Sequence, residues 1–339
     1  MKAANLRVIG AVLGLVGVWA LVAGGCASEQ QKLGKELYTH YCMHCHGENG
    51  RQNEGFNWSS MPDPKPKDLS NKSEMSTFKD EEIFNTISRD MKDTSPGGDK
   101  IGDDEFAVPT MPTFKYTLAE DEIWAIVDYV RSLHGMKMEF KVEERRKELE
   151  EAVTKAKAKD DEAKQAYEAA EKRANEEAEK KSAALKKDVD VDESSYAKEQ
   201  AAMAQTKKGL DAAQAALTYF TTRPGKSVSV ARPDLSMKPE QTAALAALGK
   251  KLYSNKYGCN GCHSLANEGG KVGPALDRAG FRLNGTWIYR WVKNPQSMKP
   301  ETRMPALGLS DGDAKAVTMY LNTLRAPRAE EAPAAKPAS

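Results

Sequence analysis

Two short clusters of cysteine and histidine are the residues of this sequence best suited to chemistry. The first is CMHCHG at 42–47 and the second is CNGCHS at 259–264. Each cluster holds two cysteines three positions apart, with a histidine directly after the second cysteine. The chain has five cysteines, and the fifth is Cys26 near the N-terminus. A thiol pair next to an imidazole therefore occurs twice and uses every cysteine outside the N-terminal segment.

The spacing Cys-x-x-Cys-His is the attachment sequence of c-type haem. Two thiols three residues apart on a helical turn project to the same side, so both can add to the vinyl groups of one porphyrin. The next histidine can then ligate the iron through an imidazole nitrogen. We expect two covalently bound haem c groups, one on Cys42, Cys45 and His46 and the other on Cys259, Cys262 and His263.

Other uses of paired cysteines fit the sequence less well. An exported protein could oxidise such pairs to disulfides, which would leave the adjacent histidines unexplained. The two pairs could form one four-cysteine zinc site, but over two hundred residues separate them. A thioredoxin-like redox pair would need a βαβ context, which the flanking sequences lack. The neighbouring histidines therefore favour haem attachment.

A Met-Pro pair and a predicted amphipathic helix follow each cluster. The first segment is VPTMPTFKYTLAEDEIWAIVDYVRSLHG and the second is ETRMPALGLSDGDAKAVTMYLNTLRAP. Thr117 and Glu120 predict a capping box for the first helix, and Ser310 and Asp313 take similar positions in the second. Pro327 is expected to end the second helix. The apolar stripes are Ile123, Ile126, Val127 and Val130 in the first helix, and Val317, Tyr320, Leu321 and Leu324 in the second.

The sequences before the two clusters also match, with LGKELY at 33–38 and LGKKLY at 248–253. Each unit therefore contains a helix, a Cys-His cluster, a long loop, Met-Pro and a final helix. This pattern indicates an internal duplication of a domain rather than a short solenoid repeat. We expect an all-α fold, because no stretch alternates convincingly as a strand.

In these features the chain resembles class I cytochrome c over about 28–138 and 234–326. The resemblance implies that the first and last helices of each unit cross, with a glycine on one packed against an aromatic on the other. Gly34 with Tyr129 and Gly249 with Tyr320 match these roles.

The resemblance also implies a methionine as the sixth iron ligand, in the loop before the last helix. Met111 and Met304 occupy that position. Pro274 matches the family proline whose carbonyl orients the histidine ring, whereas the first unit offers only Pro66. His40 and His44 are the alternative ligands, and we expect them to face solvent instead. The chain has thirteen methionines, and those in other eligible loops are Met61, Met91 and Met298.

The N-terminal segment MKAANLRVIGAVLGLVGVWALVAGGC has the layout of an export signal, with Lys2 and Arg7 before an apolar run. The run is also long enough to span a bilayer. AGGC resembles a bacterial lipobox, in which Cys26 would be lipidated, although Ala23 replaces the usual leucine. A lipoprotein anchor and an uncleaved membrane anchor both predict a protein tethered on the extracytoplasmic, periplasmic face of the membrane.

Residues 141–219 are dominated by Ala, Glu, Lys and Asp, and they contain apolar residues at heptad spacing. DVDVDESS at 188–195 interrupts the pattern, which predicts a helix, a turn and a second helix in an antiparallel hairpin. One uninterrupted helix, about 100 Å long, is the alternative. The heptad positions are Val142, Leu149, Ala156, Ala163 and Ala170, followed by Tyr196, Met203, Leu210 and Leu217.

The predicted organisation has five parts, which are an anchor or signal over 1–26, a first cytochrome c domain over 28–138, a charged coiled-coil hairpin over 139–225, a second cytochrome c domain over 234–326 and a disordered tail over 327–339.

Charge is divided unevenly between the two units. Residues 28–138 contain 20 acidic and 13 basic side chains, a formal charge of −7, and residues 226–326 contain 7 and 15, a formal charge of +8. Such asymmetry steers association, so either the domains dock on one another or each meets a different redox partner. The net charge of +1 does not indicate a nucleic-acid partner.

With histidine and methionine on both irons, we expect an electron carrier without catalytic residues or a small-molecule substrate. The resemblance and the anchor imply transfer between a quinol-oxidising membrane complex of a respiratory chain and a downstream acceptor or oxidase. One alternative is a dihaem enzyme, a peroxidase or a sulfur-compound dehydrogenase, with one open iron. Another is a scaffolding cytochrome subunit of a respiratory complex that uses the coiled coil.

Overall fold

α-Helices form almost all of the regular structure in the computed structural model, which describes residues 28–55, 58–61, 65–90, 111–225 and 229–326. The all-α prediction is confirmed, with one small antiparallel pair formed by β1 (Ser264–Leu265) and β2 (Glu268–Gly269). The predicted anchor with Cys26, the tail and Pro327 lie outside the described residues. None of the helices in these ranges is long and apolar enough to cross a membrane.

The helices of the first domain are α1 (Glu29–Tyr41), α2 (Met43–His46), α3 (Lys72–Met75), α4 (Asp80–Ser88) and α5 (Glu120–Leu133). The middle section contains α6 (Val142–Leu185) and α7 (Ala197–Thr221). The second domain contains α8 (Pro239–Lys251), α9 (Ala279–Arg282), α10 (Gly285–Lys293) and α11 (Asp311–Thr323). Short 3₁₀ turns cover Trp58–Ser60, Glu193–Tyr196, Cys259–Gly261 and Pro295–Ser297, and a π-helical turn, Leu252–Lys256, extends α8.

The first and last helices of each domain cross at equivalent glycines. A Cβ on Gly34 would collide with the backbone of α5, and a Cβ on Gly249 would collide with the backbone of α11. The same added atoms would lie 3.0 Å from Cβ of Tyr129 and 2.9 Å from Cβ of Tyr320. Both predicted glycine–tyrosine contacts are confirmed, so the duplication extends to the way the helices pack.

The caps of the two final helices differ from each other. In α11 the predicted N-cap is confirmed, because Oγ of Ser310 accepts a hydrogen bond from the Asp313 N–H at 3.0 Å, while the Asp313 carboxylate bonds Lys256 and Tyr257 instead of closing a capping box. In α5 the prediction is wrong, because the N-cap is Ala119 and its N–H donates to Glu122 at 2.9 Å. Thr117 lies before the cap, and its hydroxyl bonds elsewhere. The predicted apolar stripes face the cores, with Ile123, Ile126, Val127, Val130, Val317 and Leu321 buried.

The middle section is a helical hairpin. Helices α6 and α7 pack antiparallel along each other, and the hydroxyl of Thr206 on α7 donates to Asp160 on α6 at 3.2 Å. Lys186, in the left-handed conformation, ends α6, and the chain then returns along it. All nine heptad positions are buried or half-buried. The structure therefore has two helices and a turn, not one long helix.

The base of the hairpin shares a core with the first domain. Val142, Leu149 and Phe220 belong to the same buried apolar cluster as Trp124 of α5. The ring of Trp124 stacks on that of Phe140, with centroids 3.7 Å apart. The start of α6 and the end of α7 therefore both pack on the first domain, so the hairpin is not hinged freely beside it.

A buried ion pair fixes the point at which the chain leaves the first domain. Nε of Arg131 donates to Asp80 at 2.6 Å, and the two side chains are 4% and 5% exposed. The other carboxylate oxygen of Asp80 accepts the N–H groups of Glu139 and Phe140, at 2.6 and 3.1 Å. Because a buried charge is costly without partners, this network holds α4, α5 and the start of the hairpin together.

Candidate cofactor sites

One cavity of the first domain brings together the four side chains predicted to hold its cofactor, Cys42, Cys45, His46 and Met111. The remainder of the wall is largely apolar and includes residues from α4, α5 and the segment before α5. They include Ile83, Ile87, Phe114, Ile126 and Val130. Such a cavity can cover a large flat apolar group and keep water from its centre.

A single turn of helix arranges each Cys-His cluster. In the first cluster the N–H of His46 donates to the carbonyl of Cys42 at 3.0 Å, and in the second the N–H of His263 donates to Cys259 at 2.9 Å. This bond spans four residues in each cluster, as in an α-helix. The two thiols and the imidazole of a cluster are therefore presented from one compact turn.

All four cysteines of the described residues are free thiols in largely apolar surroundings. Burial raises the pKa of the Cys42 thiol to about 12 and that of Cys45 to about 11. Burial also raises the pKa values of Cys259 and Cys262 to about 12. Thiol–disulfide exchange and metal binding both need the thiolate. The raised pKa values therefore favour the protonated thiols at neutral pH.

Backbone carbonyls orient the two histidine rings. Nδ1 of His263 lies 2.7 Å from the carbonyl oxygen of Pro274, as predicted. Nδ1 of His46 lies 3.4 Å from the carbonyl of Lys67, so the first domain uses the residue after Pro66. A carbonyl can only accept, so Nδ1 carries the proton and Nε2 keeps its lone pair. Burial lowers the pKa of both imidazoles, which favours the neutral form that ligates iron.

The sulfur of Met304 has a hydrogen-bond partner that the sequence did not reveal. Nε1–H of Trp291 donates to Sδ of Met304 at 3.0 Å, and the Trp291 ring stacks on Trp287 with centroids 5.0 Å apart. The side chain of Gln296 also donates to the carbonyl of Met304 at 2.8 Å. Together these bonds hold Met304 in position, and the bond from Trp291 draws electron density away from the sulfur of this predicted ligand. The one feature of the sequence that could have indicated this partner is the pair of tryptophans four residues apart on α10.

The expectation that His40 and His44 face solvent is wrong. Nε2 of each ring is buried, and His44 lines the cavity of the first domain. Burial lowers the pKa of both imidazoles, and nearby Arg303 lowers it further. The physical reason is that the second domain, which carries Arg303, covers this face of the cluster.

Within the described ranges, no group of three or more His, Cys, Asp or Glu side chains is placed to hold a metal ion. Cys262 nevertheless lines the first domain's cavity together with Cys45. The two clusters therefore come close in space despite their separation in sequence, but these ranges hold no gathered set of metal donors that could form a joint zinc site.

These residues fit haem c, because each domain offers two thiols and an imidazole from one turn, with the imidazole oriented by a backbone carbonyl. The first domain adds a methionine within the same apolar cavity. The comparison with known families agrees, since a family model described as Cytochrome c matches residues 31–134 and 246–325. The chain belongs to the cytochrome c family. No curated protein and no solved structure matches it.

Two cytochrome c domains imply two covalently bound haem c groups and a role in electron transfer. Haem c supplies an iron that exchanges one electron between its ferric and ferrous states. The chain orients each imidazole through a backbone carbonyl and lines the first domain's cavity largely with apolar side chains. Domains of this family typically function outside the cytoplasm.

Proposed function

We propose that the protein is a dihaem cytochrome that carries single electrons from a quinol-oxidising membrane complex to a downstream acceptor or oxidase. The family supports the electron-transfer role. The opposite formal charges of the two domains support two different partner surfaces, because complementary charge speeds the encounter of redox proteins.

In this proposal each domain would hold its haem through two cysteine sulfurs, a histidine nitrogen and a methionine sulfur. The first set lines one cavity, and in the second the sulfur and the imidazole each have a positioning hydrogen bond. The proposed haem-binding residues are Cys42, Cys45, His46 and Met111 in the first domain, and Cys259, Cys262, His263 and Met304 in the second.

The observation that carries the proposal is that cysteines of both Cys-His clusters line one cavity. Cys262 of the second cluster lines the same cavity as Cys42 and Cys45 of the first. The two cofactor sites are therefore neighbours within one chain, which suits the passage of single electrons through both sites in sequence.

An optical and EPR redox titration of the full-length protein tests the assignment. We expect two haems per chain, both low-spin in the oxidised state, with two separate one-electron transitions. A high-spin haem that rapidly binds cyanide or peroxide in the resting protein would contradict the carrier role. That result would favour the alternative of a dihaem enzyme with an open iron.

The respiratory position is tested separately in membranes. Added quinol should reduce the protein only when an active quinol-oxidising complex is present, and an inhibitor of that complex should abolish the reduction. Reduction that is unaffected by the inhibitor would contradict this placement while leaving the haem assignment intact.

We also propose that lipid on Cys26 tethers the protein to the membrane outside the cytoplasm. The AGGC sequence and the preceding apolar run support this proposal. Cys26→Ser should abolish incorporation of labelled fatty acid and change the mass of the mature chain. An unlabelled wild-type protein that still fractionates with membranes would favour the uncleaved anchor.

A further inference from the structure

The second domain supplies part of the wall of the first domain's cavity. Cys262, Val272, Arg303 and Pro305 all line it, alongside the residues assigned to the first haem. Arg303 and Pro305 flank Met304, so the loop that carries the second domain's predicted sulfur ligand reaches across to the first site. A cytochrome c domain of this size would otherwise have to close its own cavity.

A hydrogen bond between the two methionine loops holds this arrangement. The N–H of Ala306 donates to Oγ1 of Thr117 at 2.9 Å. The two residues are 4% and 1% exposed, so water does not compete for either group. Thr117 follows Met111 by six positions and Ala306 follows Met304 by two. The bond therefore joins the two predicted ligand loops directly.

An aromatic contact lies beside this bond. The ring of Tyr116 packs against Gly308, and a Cβ on Gly308 would collide with that ring. The hydroxyl of Tyr116 donates to Asp90 of its own domain at 2.8 Å. The tyrosine is therefore anchored in the first domain while its ring supports the loop of the second.

We propose that the second domain completes the haem site of the first. Residues 303–308, defined here as the closing loop, form a wall that keeps Met111 on its iron and excludes water and small ligands. The hydrogen bond from Ala306 to Thr117 is the latch that holds the closing loop in place. The proposal depends on haem being bound at Cys42, Cys45 and His46.

The first test removes the acceptor of the latch in the full-length haem protein. Thr117→Val preserves the shape of the side chain but leaves the buried Ala306 N–H without a partner. The fraction of molecules with an undocked closing loop should therefore rise by about tenfold or more. Imidazole should therefore bind the oxidised first haem about tenfold faster or more. The control is Thr113→Val, because Thr113 is equally buried and its hydroxyl accepts from the N–H of Lys115 in its own loop.

The two haems must be distinguished in this measurement. A Cys42→Ser, Cys45→Ser chain keeps only the haem of the second domain, so its spectrum and its imidazole kinetics serve as the reference. Haem mass is measured first, which establishes that the unaltered chain carries both groups before any rate is compared.

A second pair of variants and a readout independent of haem chemistry support the test. Tyr116→Leu removes the ring that supports Gly308, whereas Tyr116→Phe removes only the hydroxyl. Hydrogen exchange followed by mass spectrometry should show faster exchange across 303–308 in Thr117→Val and Tyr116→Leu. It should show little change there in Thr113→Val and Tyr116→Phe.

Faster exchange of 303–308 together with faster imidazole binding at the first haem would support the proposal, whether or not the second haem also changes. A change confined to the second haem would overturn it, because the loop would then serve only its own domain. Unchanged imidazole binding at the first haem, despite faster loop exchange, would overturn it as well.

Discussion

At the scale of single residues, the indole N–H of Trp291 acts on the predicted ligand Met304. A hydrogen bond to the sulfur withdraws electron density from it, so a haem iron held by that sulfur would receive less donation in its ferric state and would favour the reduced state. A partner of this kind tunes a reduction potential without touching the metal. It also holds the sulfur in place while the iron changes charge.

Replacing Trp291 by Phe should therefore lower the reduction potential of the second haem. A hydrogen bond worth about 1 kcal/mol corresponds to about 40 mV for a one-electron couple, and that is the expected shift. A redox titration of the full-length variant measures it. Trp287→Phe is the matched control, because Trp287 stacks on Trp291 without bonding the sulfur. An equal shift in both variants would show that packing, not the hydrogen bond, is responsible.

The carboxylate of Asp313 ties α11 to the segment just before the second cluster. It accepts from Nζ of Lys256 at 2.9 Å and from the Tyr257 hydroxyl at 2.6 Å. Partial burial opposes ionisation, but the bonds from Tyr257 and Lys256 outweigh it and lower the pKa of Asp313. Because the folded-state pKa lies below the unfolded value of about 4, the carboxylate stabilises the fold at pH values above 4.

Asp313→Asn should reduce the free energy of unfolding of the second domain at pH 7. We expect about 1–2 kcal/mol, since the carboxylate is partly exposed to solvent. The difference from wild type should shrink as the pH falls below about 4 and vanish below the folded-state pKa. Guanidinium unfolding followed by Soret absorbance measures this at several pH values. Glu240→Gln, an exposed carboxylate on α8, is the control, and a pH-independent difference would contradict the assignment.

Local spacing was enough to predict that the thiols and the imidazole of each cluster share one turn, because they lie within five residues of sequence. Met111 and Pro274 could be selected because each has a fixed place relative to a cluster or a final helix. Trp291 could not be selected, since its contact with Met304 depends on how α10 and the following loop turn back. The outward placement of His40 failed for a related reason, because a neighbouring domain covers it.

At the scale of elements, the hairpin has a base that belongs to the first domain and a distal part that does not share that core. Val142, Leu149, Leu217 and Phe220 pack into the first domain's core. Further out, Ala170, Ala174 and Tyr196 form a separate small cluster between the two arms. The distal part can therefore be removed without opening the core around the haem.

Deleting 161–205 and joining the arms with a short glycine-serine turn tests the scaffolding alternative. Asp160 and Thr206 face each other in the structure, so the shortened arms stay in register. We expect unchanged haem content, spectra and reduction potentials, because all the base contacts remain. Loss of co-purification with the membrane complex would then identify the distal hairpin as an assembly surface. Retained assembly would contradict that role, and a loss of haem would contradict the separation of base from distal part.

Heptad spacing and the acidic interruption were sufficient to predict two helices and a turn, because both signals are local. The pattern Thr-x-x-Glu normally predicts the start of a helix, but Thr117 is not the N-cap of α5. The observed N-cap, Ala119, lies two residues later, and Glu122 supplies the cap contact instead. The threonine hydroxyl is engaged by a backbone group 189 positions away, which no local pattern encodes.

At the scale of the whole molecule, the hydrogen bond and the ring contact that join the two domains are uncharged. The bond runs from a backbone amide to a hydroxyl, and the ring of Tyr116 packs on a glycine. These two contacts do not depend on the formal charges of −7 and +8, although the charged side chain of Arg303 also lines the first domain's cavity. We expect the remaining charges to guide partners of opposite charge.

The closing loop should therefore stay docked at high ionic strength. Hydrogen exchange across 303–308 should be the same at about 0.05 M and at about 1 M salt, where the Debye length falls to about 3 Å. Reduction by an external protein donor should instead slow as salt rises. Faster loop exchange at high salt would show that charge attraction contributes to docking after all.

The order of the domains and their duplication could be predicted from the sequence, because both units repeat the same elements in the same order. Their relative placement could not, since it depends on a few contacts between loops of irregular conformation. The uneven charge was compatible with docked domains and with separate partners, and only the structure shows that the two ligand loops meet.

The anchoring of both hairpin ends on the first domain has a consequence for the tether between the domains. Arg223, just after α7, pairs with Glu122 of the first domain at 2.8 Å, and the Gly225 carbonyl accepts from Asn294 of the second at 2.8 Å. The second domain is therefore held by a connection of a few residues, however long the hairpin is. A short connection gives the second domain an effective concentration on the order of millimolar at the first. Even the small contact made by the closing loop therefore stays formed.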